Sequence, residues 1–350
     1  MARTNASNYS NPNYAYATAD TDAFDRLDVA AQGQAMDAHD HSAGNGAAVA
    51  RLAAGAIPNG TITNAKLASD TARANLLTNG GFEIWQRGTG PFTGAVWTAD
   101  RWVTVLSGSD TISVSKDTVN VDASGACAAV TFTLGSGGGN SGFNQGNFVD
   151  SINELRGRTL SFSVRVRTST PNAVRAAINN YYSTTSHYTY SSFHTGNGTY
   201  QTLSVTATLD PTATVLQVVL FFAASCTAYI DNAMLVVGSQ PADYAPLHPA
   251  DDMARCLRYY EILQPEVSQY VGAAGAVTLY AVPFRVVKPV TPTLTKNGTW
   301  NVTNCAQPVV GSRSGAETSM FYFYVTSTAT GNTAAYPSAS GQNISVEANP

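Results

Sequence analysis

The stretch Ser161-Phe162-Ser163-Val164-Arg165-Val166-Arg167 alternates apolar and polar residues without a break. Successive side chains of a β-strand point to opposite faces. The pattern therefore predicts a strand with Phe162, Val164 and Val166 inward and Arg165 and Arg167 outward. On either side, alternating or short apolar runs occupy residues 101–106, 111–115, 128–134, 174–179, 201–209, 214–222 and 228–236. Turn-forming clusters separate them, such as Gly135-Ser136-Gly137-Gly138-Gly139-Asn140 and Thr195-Gly196-Asn197-Gly198. Short strands with frequent turn signals predict a β-sandwich of the jelly-roll kind over residues 77–240.

Beyond a connector containing Pro241, Pro246 and Pro249, residues 251–261 read as a short helix. Asp251 and Asp252 favour its positive N-terminal end, and Met253, Cys256, Leu257 and Tyr260 form one apolar face. Strand-like runs return at 276–284, 291–295, 299–303, 320–326 and 343–347. They predict a second, smaller sandwich in a distal domain, 241–350, introduced by that helix.

Upstream of the jelly roll the pattern changes. Residues 1–38 are polar, with one weak helical stretch at 21–36 containing Phe24, Leu27 and Met36. Such a segment cannot bury enough surface to fold alone, so it is expected to attach to a partner. In residues 39–76, Leu52, Ile57, Ile62 and Leu67 recur every five residues, with Gly55 and Gly60 at the same interval. Five is neither the period of a helix nor that of a strand. Apolar residues so spaced find cover only against other copies, as repeat units do against neighbours. The reading is a thin intertwined stem, and a floppy linker holding four aliphatics is the alternative. The expected chain is thus mostly β, with a stem, a jelly roll, a short helix and a C-terminal β-sandwich.

Composition narrows the function. Charged residues are 12% of the 350, about half the usual share. Hydrophobic content of 44% supplies real cores. A formal net charge of −4 argues against nucleic-acid binding, which needs a basic face. No apolar run is long enough for a membrane-spanning helix, and the polar start lacks the apolar run of a secretory signal. Cys127, Cys226, Cys256 and Cys305 form no C-x-x-C pair and sit in apolar or strand-like contexts, which favours buried thiols over disulfides or zinc.

Three constellations invite a chemical reading. His39-Asp40-His41 is the one close histidine pair. On an extended chain both rings point the same way, and three chains would offer six nitrogens to a transition metal; two solvated histidines are the alternative. Tyr181, Tyr182, His187, Tyr188, Tyr190, Phe193 and His194 lie in a Ser/Thr-rich stretch. Aromatic faces suit sugar rings and hydroxyls suit their polar rims, so Tyr181, Tyr182, Tyr188, Tyr190 and His194 are candidate glycan contacts in a loop. Ordinary sandwich packing is the competing reading. Tyr336, in a second loop region at 312–336, carries the same ambiguity. Trp85, Trp97 and Trp102 are expected in the core. Paired carboxylates for glycoside cleavage do not stand out, and Asp100–Arg101 and Glu83–Arg87 are expected to make structural hydrogen bonds. No catalytic residue is assigned.

Several of these strings also resemble a known family. Ala74-Asn75-Leu76-Leu77-Thr78-Asn79-Gly80-Gly81-Phe82-Glu83-Ile84-Trp85-Gln86-Arg87-Gly88, followed by Trp97-Thr98-Ala99-Asp100-Arg101-Trp102, resembles the opening of the jelly-roll domain of tailed-phage tail fibre proteins. Leu155-Arg156-Gly157-Arg158-Thr159-Leu160-Ser161-Phe162 is similar to a strand entry of that domain. Ala254-Arg255-Cys256-Leu257-Arg258-Tyr259-Tyr260 is similar to the element introducing their distal domain. Ile57-Pro58-Asn59-Gly60-Thr61-Ile62-Thr63-Asn64-Ala65-Lys66-Leu67 is similar to their stem repeats. The resemblance implies a homotrimeric virion protein of the tail, assembled in the host cytoplasm. Residues 1–38 would then dock on a tail or baseplate protein, and the distal β-domains would bind a host-surface glycan. It also implies the H-x-H metal device for His39 and His41. The expected function is adhesion without catalysis. The alternatives are a tailspike enzyme cleaving surface polysaccharide and a non-viral carbohydrate-binding module.

Overall fold

The computed structural model describes residues 74–146 and 152–349, all within one compact unit, Ile62–Pro350. The stem residues Leu52, Ile57, Ile62 and Leu67, the histidines His39 and His41, and the N-terminal segment lie outside the described residues.

The described chain is mostly β, and its first part is a jelly-roll sandwich. One sheet has six strands in the order β1 (Phe92–Thr93), β3 (Thr111–Asp117), β4 (Cys127–Thr133), β11 (Cys226–Val237), β6 (Thr159–Thr168) and β9 (Tyr200–Thr208). The other has five, ordered β2 (Val103–Val105), β5 (Ser141–Gly146), β10 (Val215–Phe222), β7 (Val174–Tyr182) and β8 (Thr185–Phe193). Neighbouring strands in both sheets run antiparallel. A single helical turn, α1 (Ile152–Leu155), precedes β6.

The alternation of β6 sets the packing. Leu160, Phe162, Val164 and Val166 are fully buried, facing Val174, Ala176 and Ile178 of β7 and Leu216, Val218, Leu220 and Phe222 of β10 across the core. Burying one such side chain is worth about 1.5–3 kcal/mol, so this two-sided layer is the main stabilising term. Trp102 is fully buried too, with its ring 4.7 Å from Phe82 and 5.2 Å from Phe143. Trp85 and Trp97 are only half-buried, unlike the core positions expected for them. All four cysteines are buried free thiols.

The helix α2 (Pro249–Leu257) is shorter than the 251–261 expected. Proline stands in its first turn, where a missing N–H costs nothing, and His248 Nδ1 accepts from Ala250 N–H at 3.2 Å. Tyr260 has left the helix and starts β12 (Tyr260–Leu263), which pairs with β20 (Asn343–Glu347). The expected apolar face is therefore split: Cys256 is buried, whereas Met253 is exposed. Asp252 stands in the first turn of the helix, as expected, and is buried there.

The distal part is three three-stranded antiparallel sheets about one core. They are β12–β20–β15 (Thr293–Asn297), β13 (Val267–Val271)–β19 (Gly331–Tyr336)–β16 (Asn301–Thr303), and β14 (Val277–Pro283)–β18 (Met320–Thr326)–β17 (Val309–Ser312). Phe321, Phe323 and Val325 of β18 alternate inward onto Trp300, Ile344 and Val346.

Candidate sugar-binding face

The segment expected to be a loop, 181–194, is instead the β7–β8 hairpin. Tyr182 pairs with Thr185, leaving a two-residue turn at Ser183 and Thr184. Both turn residues have positive φ, 49° and 62°, as the tight hairpin turn that matches strand twist requires. Those positions normally carry Asn and Gly. Ser and Thr give no such signal in the sequence.

Strand alternation then sorts the candidate residues. Val174, Ala176 and Ile178 face the core, so Arg175, Ala177, Asn179 and Tyr181 face outward. Register places Tyr188 opposite Asn179 and Tyr190 opposite Ala177, on that same outer face. Val219 and Phe221 of β10 and Asn144 of β5 join them by the same rule. Tyr188 and Tyr190 are 38% and 39% exposed, and their rings stack at 5.8 Å. Both lean on Phe221, at 5.2 Å and 5.7 Å, which fixes the pair as a platform. Tyr181 lies one step along, half-buried.

Polar groups line the same face. Asn179 Nδ2 donates to Gln217 Oε1 at 3.1 Å and to Ser186 Oγ at 3.3 Å, yet its Oδ1 has no partner among the described residues. Asn144 Oδ1 and Arg175 Nε are likewise unpartnered. Glycines make room for these side chains. A Cβ on Gly142 would sit 2.6 Å from Asn144 Oδ1, and one on Gly146 would sit 2.3 Å from Gln217 Cγ.

Three of the expected contacts fall elsewhere. Tyr182 lies on the opposite side of the hairpin by alternation and stacks on His187 at 3.9 Å. His194 is completely buried: Nδ1 accepts from Gly196 N–H at 2.9 Å and Nε2 lies 3.2 Å from the Thr199 carbonyl. Its role is to brace that turn, not to meet a ligand. Tyr336 is exposed, but it ends β19 in the distal part, away from the hairpin in the fold, and the 312–336 region holds β18 and β19, not one loop. The contributions of Arg175, Asn144, Asn179, Gln217 and Phe221 were missed by sequence reasoning. The alternation of β7 could have revealed Arg175 and Asn179, since both fall opposite its apolar positions.

Apart from this face, a cavity of about 990 Å³ lies against the six-stranded sheet, lined by Glu83, Asp122, Arg165, Tyr244, Asp252 and Met253 among others. Three of its carboxylates are tied into the structure. Glu83 Oε1 accepts from Gly125 N–H at 2.8 Å, Asp122 pairs with Arg165 at 2.5 Å, and Asp252 Oδ1 accepts from Asn79 N–H at 2.9 Å. Burial pushes the Asp252 carboxyl and the Tyr244 hydroxyl above their ordinary values. Asp100 and Arg87, expected to bond to near sequence neighbours, use other partners. Asp100 accepts from Gln86 N–H and its side-chain amide, while Arg87 reaches Glu347 and lies 3.7 Å over the Tyr260 ring. Among the described residues no three His, Cys, Asp or Glu side chains come together as a metal site.

Fold and face together define a jelly-roll β-sandwich protein with an aromatic and amide-lined outer sheet. No protein-family model matches the chain, and no curated protein matches it. Solved structures similar to it include the enzymatically active domain of tailspike protein 4 of bacteriophage CBA120, at 13% identity and TM-score 0.34, covering 47% of this chain and 21% of that one. The CBM22-1 xylan-binding domain of Paenibacillus barcinonensis Xyn10C matches at 12% identity and TM-score 0.35, covering 49% and 99%. The family 11 carbohydrate-binding module of the Clostridium thermocellum cellulase Lic26A-Cel5E matches at 14% and 0.33, covering 51% and 99%.

Proposed function

We propose that this protein is an adhesive virion component that holds a host-surface glycan on the outer face of its five-stranded sheet. One observation carries the reading: an exposed tyrosine stack, Tyr188 and Tyr190, shares a sheet face with polar atoms of Asn144, Asn179 and Arg175 that have no partner among the described residues. Sugar rings present C–H faces to aromatic rings and hydroxyls to amides. An unpartnered buried amide oxygen costs about 1–3 kcal/mol, and a ligand hydroxyl would relieve that cost. The phage tail setting is supported by the tail-fibre-like strings at 74–88, 155–162 and 254–260.

In this reading Leu52, Ile57, Ile62 and Leu67 join three chains, and the low affinity of one face is raised through the effective concentration of the other two. His39 and His41 would share a transition metal within that stem, testable by elemental analysis of the purified protein. The activity in this reading is binding, not cleavage: of the cleft carboxylates, Glu83, Asp122 and Asp252 already serve backbone and arginine partners.

The test is adsorption of the purified full chain to host cells and to arrayed surface polysaccharides. Tyr188→Ala with Tyr190→Ala should abolish binding while the chain still folds, at a modest cost in stability from the lost packing on Phe221. Equal loss of folding and binding would assign these rings to packing. Release of reducing sugar would make the protein an enzyme, and a solution mass other than three times 36.7 kDa would remove the trimer.

A further inference from the structure

The outer face of the five-stranded sheet has an unusual charge balance. Its strands read Val-Thr-Val, Ser-Gly-Phe-Asn-Gln-Gly, Val-Leu-Gln-Val-Val-Leu-Phe-Phe, Val-Arg-Ala-Ala-Ile-Asn-Asn-Tyr-Tyr and Thr-Ser-His-Tyr-Thr-Tyr-Ser-Ser-Phe. Not one carboxylate occurs in these five strands, and Arg175 is their one Lys or Arg.

That arginine is held in place without being satisfied. Its guanidinium carbon lies 3.7 Å from the centroid of the Tyr190 ring and 4.9 Å from that of Phe193. No ion pair or hydrogen bond engages its side chain among the described residues, and Nε is both buried and unpartnered. Other arginines of the same sandwich behave differently: Arg156 donates to the Ala213 carbonyl, Arg165 to Asp122, and Arg167 to the Gly198 carbonyl. A guanidinium stacked on aromatic rings keeps its plane and loses its freedom to turn, while its in-plane donors stay available for an acceptor. The acceptor that matches such a planar fork is a carboxylate or a similar oxyanion, bound through two parallel hydrogen bonds.

We infer that the glycan taken by this face is acidic, a polysaccharide bearing sugar carboxylates, and that Arg175 receives the carboxylate while Tyr188 and Tyr190 carry the adjoining ring. This rests on the sugar-binding reading above and adds the charge class of the ligand. Tyr190 serves both functions, since one ring face can hold the guanidinium while its neighbour Tyr188 extends the platform. With no carboxylate in these five strands to repel it, an anionic chain is favoured along them.

The experiment probes the full-length protein on an array of acidic and neutral bacterial polysaccharides. Each acidic one is also printed after its carboxylates have been reduced to alcohols, and dextran sulfate is included as a sulfate-bearing polymer. The polysaccharides bound should be uronate- or sialate-bearing, and carboxyl reduction should weaken binding at least tenfold. Arg175→Gln should lose the same factor on the unreduced polymer and little on the reduced one. Arg175→Lys, which keeps charge but not the planar fork, should fall between. Binding by the wild-type protein should also weaken as salt rises to about 0.5 M, a readout that stands even if Arg175→Gln folds poorly.

Binding confined to neutral polysaccharides, or unchanged by carboxyl reduction, overturns the inference and leaves glycan binding intact. Binding of dextran sulfate without any carboxylate polymer overturns it as well. No binding to any polysaccharide, with Tyr188→Ala and Tyr190→Ala also without effect on host adsorption, removes the sugar-binding reading and this inference with it.

Discussion

The backbone N–H of Asn79 donates to Asp252 Oδ1 at 2.9 Å, so the first turn of the sandwich is bonded to the first turn of α2. Asn79 has φ of 54° and spends its side chain on the same corner: Nδ2 donates to the Ile84 and Asp100 carbonyls, and Oδ1 accepts from Ile84 N–H. Its own carbonyl accepts from Trp102 Nε1 at 3.1 Å. One asparagine thus joins the tryptophan at the core, the entry turn and the helix that leads into the distal sheets. Asp252→Ala should leave a buried N–H without an acceptor and cost about 1–3 kcal/mol. Asp252→Asn keeps an oxygen in place and should cost under half as much. Urea unfolding of the two variants checks this, and equal costs would mean that the carboxylate acts through charge, not as an acceptor.

Trp102 and Trp97 give a paired test of the core. Trp102 is fully buried against Phe82 and Phe143, whereas Trp97 is half-buried at an isolated bridge to Val103. Trp102→Ala should destabilise by about 3–5 kcal/mol, the range for deleting a large core ring. Trp97→Ala should cost clearly less, since its ring fills less of the core. Unfolding midpoints in guanidinium chloride would rank them, and the reverse order would contradict the packing described.

The strands most legible in the sequence are those with one wet face. In β6 the alternation around Phe162, Val164 and Val166 reports burial directly, and β18 does the same through Phe321, Phe323 and Val325. Two strands of the five-stranded sheet were not legible, for different reasons. β5 is Ser-Gly-Phe-Asn-Gln-Gly, and its glycines are required because neighbouring side chains lie across them, which erases the alternation. β8 carries small hydroxyl residues on both faces and its two tyrosines on the outer one, at the sheet edge, and its turn is Ser183-Thr184 where the usual signal is Asn-Gly. The candidate face is built from these two strands with β7 and β10. That is why Tyr188 and Tyr190 could be picked out by residue type while Asn144 could not, and why Arg175 is legible only through the alternation of β7. The end of α2 is not legible because Tyr260 continues the apolar face of Met253, Cys256 and Leu257, and only pairing with β20 shows it to be strand.

That hairpin turn is itself a test. A β-branched residue at positive φ is strained, on the order of 1 kcal/mol or more, and Thr184 sits at 62°. Replacing Ser183-Thr184 by Asn-Gly supplies the residues this turn favours and should raise stability by about 1 kcal/mol. Thermal unfolding reads it directly. A loss of stability would show that the two side chains make contacts worth more than the strain.

Asp231 offers the clearest pH dependence. It is completely buried at an irregularity of β11, where Oδ2 accepts from Asp122 N–H at 2.9 Å and from the Ser124 hydroxyl, and Oδ1 accepts from Asn232 N–H at 2.7 Å. Burial outweighs these bonds and pushes the carboxyl from 3.8 up to about 6. A carboxyl raised on folding binds its proton more tightly in the native state. Its contribution to stability is therefore fully present below the unfolded value and is lost as pH rises through the folded one. Between about pH 4 and pH 6 the wild-type protein should lose on the order of 2–3 kcal/mol relative to Asp231→Asn, whose side chain does not titrate. Above that window the difference should be flat. Paired unfolding curves across this range cancel the other carboxyls, including Asp110 and Asp117, whose hydrogen bonds hold them below their ordinary values and so act in the opposite direction. A wild-type minus variant difference that grows with rising pH would mean that the three hydrogen bonds prevail over burial, and that Asp231 is held ionised in the folded chain.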